Sequence, residues 1–405
     1  MDRRLLTLAL GMFALGTDSF VFGGILPQIA RSFHVSIGAA GQLIIVYALT
    51  FALLAPTIAA LAAGVARKRL LLGGMGLFVV ANLGTMLAPN LGIALAMRAL
   101  AGLGAAMFSP TASGTGTLLV APQRRGFALS IIVAGLTTAT ALGTPLGAVI
   151  GGIADWRWTM AFVALLGAAG FAGIQALLPE VLLPPAISLA KRLAPLTDAR
   201  VVLTLATTVL AQIGTFVIYD DFSVVFDRAV GGSAVVLGML LVLWGLAGTF
   251  SNLMTGRVLD RIGSRKVVVV MLVAVAGVIV TMPWSGRHLW SAALAVTVWG
   301  ACAWGVLVPQ QFRLVSLNPP MAAVLVGLST SATYVGVSIA GVIGAAAIPV
   351  VGSHHLGYLA SAVVGVALVF SELASARIAA AASREAACCA ATAQAHRPLR
   401  PLRPL

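Results

Sequence analysis

The sequence predicts an all-α integral membrane protein, with twelve transmembrane helices in two pseudo-symmetric six-helix bundles. Three observations carry that expectation. Of 405 residues, 60% are apolar and 9% charged, whereas a soluble domain carries about 25% charged residues. The charges are spaced at intervals that each fit one membrane crossing, and a glycine-rich segment of the first half recurs in the second.

A membrane helix needs about 20 residues free of charge. Between Arg31 and Arg67 lie 35 uncharged residues, between Arg69 and Arg98 there are 28, between Arg98 and Arg124 there are 25, and between Arg125 and Asp155 there are 29. Further runs extend from Arg157 to Glu180 and, beyond Arg200, end at Asp220, Arg257, Arg287 and Arg313. The last uncharged run, Leu314 to Ser371, has 58 residues and holds two helices. With an opening helix that starts at Leu5 and is interrupted only by Asp18, the count is twelve. Breaks fall near Gly38, Arg67, Pro89, Arg125, Trp156, the 179–200 stretch, Gly231, Arg265, Gly286, Pro319 and Gly352.

Twelve crossings put both termini on one side. Short cytoplasmic loops are enriched in Lys and Arg. Alternate connections and the termini hold 20 of the 25 basic residues, whereas the opposite connections hold only Arg31, Arg157, Arg228 and Arg287. The expected placement is a multi-pass protein of the cell inner membrane with both termini cytoplasmic. Trp156, Trp158, Trp284 and Trp290 are then expected at the outer interface, where aromatic rings favour the headgroup level. The opening Met-Asp-Arg-Arg and its apolar run are expected to be a span and not a cleaved signal, because no small-residue cleavage site closes the run.

Composition excludes several classes. The net charge is +14, yet the bases sit in short clusters between apolar runs, unlike the continuous basic face of a nucleic-acid-binding protein. Cys302 lies in an apolar run and Cys388 and Cys389 are adjacent, so no spacing suggests a disulfide scaffold, zinc or haem. No metal or cofactor is expected. No grouping of His, Cys or acids supplies a catalytic centre, and there is no ATP-binding P-loop.

The repeat matches Gly135–Gly151, GLTTATALGTPLGAVIG, to Gly327–Gly344, GLSTSATYVGVSIAGVIG, with one inserted residue. It divides the chain into a bundle over 1–178, a cytoplasmic linker over 179–200 rich in proline, a second bundle over 201–374, and a tail over 375–405 expected to lack structure. Transporters are often built from such repeats, with the binding site near the midplane between them.

Two opposite charges fall inside spans. Asp18 lies about 20 Å along the first helix from Leu5, and Arg98 about 10 Å into the fourth from the other side, at 1.5 Å per residue. In a core about 30 Å thick they share a depth, and an unpaired charge there would be costly. They are expected to pair. Asp18 is a candidate proton carrier and Arg98 its partner, with a static brace as the rival reading for both. Tyr219, Gln212, Asn252 and Gln310 are polar candidates for a substrate cavity, although interhelical hydrogen bonding explains each equally well. Asp220 and Asp221 are read chiefly as solvated acids at a helix end. Gly135, Gly143, Pro145 and Gly147 are expected to let the fifth helix pack closely or bend.

The connection after the eighth helix reads GRVLDRIGSRK, Gly256 to Lys266. It resembles the cytoplasmic loop signature of the major facilitator superfamily. That resemblance implies a cytoplasmic gate at Gly256, Asp260, Arg261, Gly263 and Arg265, with Asp260 capping a neighbouring helix and pairing with arginine. The first copy departs from the pattern, with Ala59 and Ala63 where Gly256 and Asp260 sit. GTDSFVFGGILPQIA at Gly16–Ala30, RALAGLGAAMFSP at Arg98–Pro110 and DWRW at Asp155–Trp158 resemble the arabinose-efflux and chloramphenicol-resistance branch of the drug:proton antiporters. Gly-Thr-Pro-x-Gly at Gly143–Gly147 is a looser form of the antiporter motif, and the Gln often found three residues after the helix-four Arg is Ala101. The resemblance implies a secondary active transporter, acting by alternating access in proton-coupled efflux of a small amphipathic drug, sugar or metabolite. Its partners would be that substrate, protons and the lipid bilayer, with no nucleic acid, and it would work as a monomer. An uncoupled facilitator or a transporter-like sensor is the alternative, with a membrane-embedded enzyme a distant third.

Overall fold

A computed structural model describes residues 3–61, 65–121, 125–180, 193–318 and 321–395. Twelve helices are long and apolar enough to cross a membrane, and no strand occurs among the described residues. In the first half these are α1 (Arg3–Phe33), α2 (Ile37–Leu61), α3 (Arg67–Met86), α4 (Leu91–Leu118), α5 and α6 (Trp156–Leu177). Helix α5 comes in three pieces, Arg125–Thr138, a π turn at Ala139–Gly143, and Thr144–Ile153. The second half has α7 (Ala199–Tyr219), α8 (Ala234–Ile262), α9 (Ser264–Ser285), α10, α11 (Ala322–Val351) and α12 (Leu356–Ala395). Helix α10 is broken at Val306 into Leu289–Gly305 and Leu307–Leu317.

The breaks follow local chemistry. Asn90 caps α4 by accepting from the Ile93 amide at 3.0 Å, and Asp155 caps α6 by accepting from the Arg157 amide at 2.8 Å. A side-chain oxygen there satisfies one of the amides that a helix start leaves bare. Gly263 joins α8 to α9 at φ 80° and Gly352 ends α11 at φ 78°, a left-handed backbone that glycine adopts without strain. Large apolar side chains such as Leu53, Val80, Leu165, Phe250 and Leu294 are exposed on the outside of the bundle, as lipid-facing surfaces require. Trp158, Trp284 and Trp290 are exposed too. Trp156 is not: it is buried against Phe33, with the Arg157 guanidinium over its ring. The indole at the first turn of α6 falls between helices and does not face outward.

The tail also departs from expectation. Helix α12 continues to Ala395, because its alanine-rich sequence is made of strong helix formers; 396–405 and most of the linker, 181–192, lie outside the described residues.

The halves meet along two seams, α2 against α11 and α5 against α8. We call the end where α1 begins the terminal face and the opposite end the far face. One apolar cluster joins both halves, running from Phe22, Ile25 and Leu43 to Phe216, Phe222 and Trp299. Toward the terminal face each half instead has its own cluster, Leu8, Phe78 and Phe108 in the first and Leu205, Leu314 and Leu325 in the second. Buried apolar packing thus joins the halves toward the far face and runs separately within each half toward the terminal one.

Candidate functional site

Asp18 and Arg98 meet in the first half. Arg98 Nη1 donates to both Asp18 oxygens, at 2.7 and 2.8 Å, and the two residues are 0% and 1% exposed. Arg98 Nε donates to the Leu43 carbonyl at 3.2 Å, and its guanidinium lies 4.2 Å from the Phe22 ring and 4.3 Å from the Tyr47 ring. The cation is thus held by a carboxylate, a backbone oxygen and two π faces contributed by α1 and α2. The buried Asn82 of α3 stands beside Asp18 and donates to the Phe78 carbonyl at 3.0 Å.

Next to the pair is a polar junction that sequence reasoning missed. The Ser19 hydroxyl donates to the Leu15 carbonyl and lies 3.1 Å from Tyr47 Oη and 3.3 Å from Tyr334 Oη. Tyr334 belongs to α11, and its ring lies 4.1 Å from that of Phe51. The residue following Asp18 therefore touches the opposite half. A signal existed, since the chain has only 4 tyrosines and a phenol in the middle of a span needs a polar partner.

The four expected cavity residues are not drawn into one cluster. Tyr219 is buried among rings from four helices: Phe20 of α1, Phe216 of α7, Trp244 of α8, 4.4 Å away, and Trp299 of α10. Gln212 lies two turns nearer the terminal face, against Gly336 of α11. Among the described residues, the wholly buried Gln310 has neither amide atom bonded, and the Asn252 side-chain oxygen also lacks a partner. The aromatic cluster itself was invisible in sequence because tryptophans inside spans read as ordinary apolar bulk. Among the described residues the indole N–H groups of Trp244, Trp299 and Trp304 have no acceptor.

Asp220 and Asp221 are not solvated. Both are 5% exposed, and Asp221 Oδ2 abuts Gly344 of α11. Helix α11 runs on from there to Val351, about 10 Å at 1.5 Å per residue, so the acids sit well below the far ends of their neighbours.

Helix α5 packs on α1 through its glycines. A Cβ on Gly135 would strike the Ala9 carbonyl, one on Gly143 the Thr17 hydroxyl, and one on Gly147 would come within 2.6 Å of Val21. Pro145 is buried in the first turn after the π segment.

At the terminal face, Arg261, Gly263 and Arg265 are exposed. The side chains of Gly256 and Asp260 lie outside the described residues. Arg265 forms an ion pair with Glu372 of α12, and the buried Arg313 of α10 donates to Ser371 Oγ at 3.3 Å. Glu372 was not anticipated, since it only marked the end of an uncharged run. Among the described residues no group of His, Cys, Asp and Glu could hold a metal.

The Major Facilitator Superfamily model matches residues 8–341. The chain is 31% identical to the inner membrane transport protein YdhP of Escherichia coli (strain K12), covering 87% of this chain and 90% of that one. It is 29% identical to a probable sugar efflux transporter of Helicobacter acinonychis (strain Sheeba), over 89% of this chain and 92% of the relative. It is 30% identical to the chloramphenicol resistance protein of Streptomyces lividans, over 70% of this chain and 72% of the relative. A buried intramembrane ion pair, twelve apolar spans and these matches lead to one conclusion: the chain belongs to the major facilitator superfamily and is a multi-pass membrane transporter of a small-molecule substrate, not an enzyme.

Proposed function

We propose that the protein is a proton-coupled exporter of the inner membrane, with both termini cytoplasmic, and that it works as a monomer by alternating access. The observation that carries this reading is the Asp18–Arg98 pair, an ionisable couple buried in the membrane beside a contact between the halves. Ionisable residues inside membranes are rare and mark coupling pathways. Protonating Asp18 removes the negative partner of Arg98, which keeps its bonds to Leu43 and the rings of Phe22 and Tyr47. Tyr47 also contacts Ser19, and through it Tyr334 of the other half. A change of charge on Asp18 is therefore one residue away from the seam that must shift when the halves, 1–178 and 201–374, rock.

The arrangement closed at the far face and divided at the terminal face corresponds in this reading to the inward-facing state. The substrate would enter between the halves from the terminal side and meet the rings of Phe20, Tyr219, Trp244 and Trp304. Apolar rings with indole donors lacking acceptors suit a small amphipathic molecule that brings hydrogen-bond acceptors. The names of the relatives, a sugar efflux transporter and a chloramphenicol resistance protein, agree with export and with that size of substrate. The gate residues at Gly256–Arg265 and the glycines of α5 would serve the rocking motion.

The test uses energised everted vesicles and a pH-sensitive dye, with chloramphenicol, arabinose, nucleosides and lipophilic cations added in turn. Substrate-evoked proton release by the wild type, and its absence in folded Asp18→Asn, is the expected result. Equal proton release in both would remove Asp18 from coupling.

A further inference from the structure

Asp220 and Asp221 have no role in the mechanism above, and their placement is unusual. They lie where α7 gives way to the short helix Phe222–Val225, which packs against α1. A Cβ on Gly23 of α1 would strike the Tyr219 carbonyl and come within 3.5 Å of that of Asp220. On the other side, Gly341 and Gly344 of α11 face the two carboxyl groups, and Ile45 of α2 fills the space beside Gly341. The acids are thus wedged into the far-face closure, where α1 and α2 of the first half meet α7 and α11 of the second.

Among the described residues neither acid has an ion pair or a side-chain hydrogen bond, and Asp220 Oδ2 is buried with no partner. The nearby titratable groups are otherwise engaged. On α7 itself there is Tyr219, held among rings. From α1, α2 and α4 come Asp18, Tyr47 and Arg98, bound to one another or to Ser19 and Leu43. From α11 comes Tyr334, at Ser19. Outside the closure, Asp227 is held by His354 at 2.7 Å, and His355 bonds the Val351 carbonyl. Two adjacent carboxylates left ionised here would repel each other in a medium that solvates neither.

We infer that Asp220 and Asp221 form a second proton-binding site, separate from Asp18, and that the far face closes only when this site has taken up protons. When the far face opens, both carboxyl groups meet water and ionise at neutral pH; closing returns protons to the carboxylate oxygens. Protons taken up and given back on the same side add pH dependence to the gate without adding to the transport stoichiometry. The inference stands apart from the antiport reading, since a gate of this kind would also work in an uncoupled facilitator.

The test is a distance across the far face in lipid nanodiscs. Spin labels go on Leu87→Cys, at the end of α3, and His288→Cys, at the start of α10, both exposed, with Cys302, Cys388 and Cys389 replaced by serine. No substrate is present. In the wild type the ratio of closed to open populations should fall as pH rises from 5 to 9, by up to about tenfold per pH unit for each proton linked. Asp220→Asn/Asp221→Asn should stay closed throughout, whereas Asp18→Asn, with both far-face acids intact, should still lose closed population as pH rises. Each single asparagine variant should halve the slope, which keeps the test decisive if the double variant does not fold. A far-face distance indifferent to pH in the wild type, or a slope that survives in the asparagine variants and vanishes in Asp18→Asn, overturns the proposal.

Discussion

Replacing Arg98 by methionine separates charge from packing at the buried pair. Methionine keeps an unbranched apolar stem between the Phe22 and Tyr47 rings, now 4.2 and 4.3 Å from the guanidinium, but leaves Asp18 at 0% exposure with no cation. Breaking a buried pair from one side typically costs about 3–5 kcal/mol. Asp18→Asn is milder. Its amide oxygen can still accept from Arg98 Nη1, and Arg98 keeps the Leu43 carbonyl and both rings, so the expected loss is about 1–3 kcal/mol. The double variant Asp18→Asn/Arg98→Met has no uncompensated charge and should recover most of what Arg98→Met loses. The assay is thermal unfolding of the purified protein in detergent, read as a double-mutant cycle. A double variant as unstable as Arg98→Met alone would refute the reasoning, because the loss would then come from the gap between the two rings.

Three further outcomes follow from the geometry. Gly143→Ala drives a methyl group into Thr17 at the π turn of α5 and should destabilise by about 1–3 kcal/mol, seen as reduced monodisperse yield, whereas Gly277→Ala, with open space around its Cβ, should be neutral in the same measurement. Glu372→Gln breaks the exposed pair with Arg265 and should shift the unfolding temperature little, since solvent screens such a pair, and high salt should erase the difference between it and the wild type. Asp198 accepts from the Arg200 amide at 2.8 Å at the start of α7, and hydrogen bonds from Arg200 hold its carboxyl below the usual carboxylate range. Its contribution is therefore present above about pH 4, the unfolded value, and fades as pH falls through the lower folded one; Asp198→Ala should cost about 1 kcal/mol at neutral pH, measured by the same thermal assay.

The helices were legible because lipid forbids charge, so the gaps between Arg and Asp residues measure the spans directly. The pairing of Asp18 with Arg98 was legible for the same reason, as arithmetic on depth along two rods. Depth arithmetic misled at Asp220 and Asp221, where the end of α7 was taken as the membrane boundary; only the neighbouring α1 and α11, which run further, reveal how deep the acids lie. The π turn at Ala139–Gly143 left no trace in the periodicity, since it adds a single residue to one turn of an unbroken apolar run. Nor could the rings around Tyr219 be assembled from sequence. Phe20, Trp244 and Trp299 come from three other helices, and their convergence depends on how the halves pack, which no local pattern encodes. The alanine-rich end of α12 was misjudged because its composition was weighed for burial and not for helix propensity.

The division of the apolar core has a consequence for amide hydrogen exchange. Local opening is cheapest where few buried contacts must be broken. The far ends of α1, α2, α7 and α8 share one cluster, so their amides can be released only by disturbing both halves together. The terminal ends of α7, α10 and α11 rest on the small cluster around Leu205, Leu314 and Leu325, and that corner of the molecule should exchange first, even where the hydrophobicity of the helices is the same.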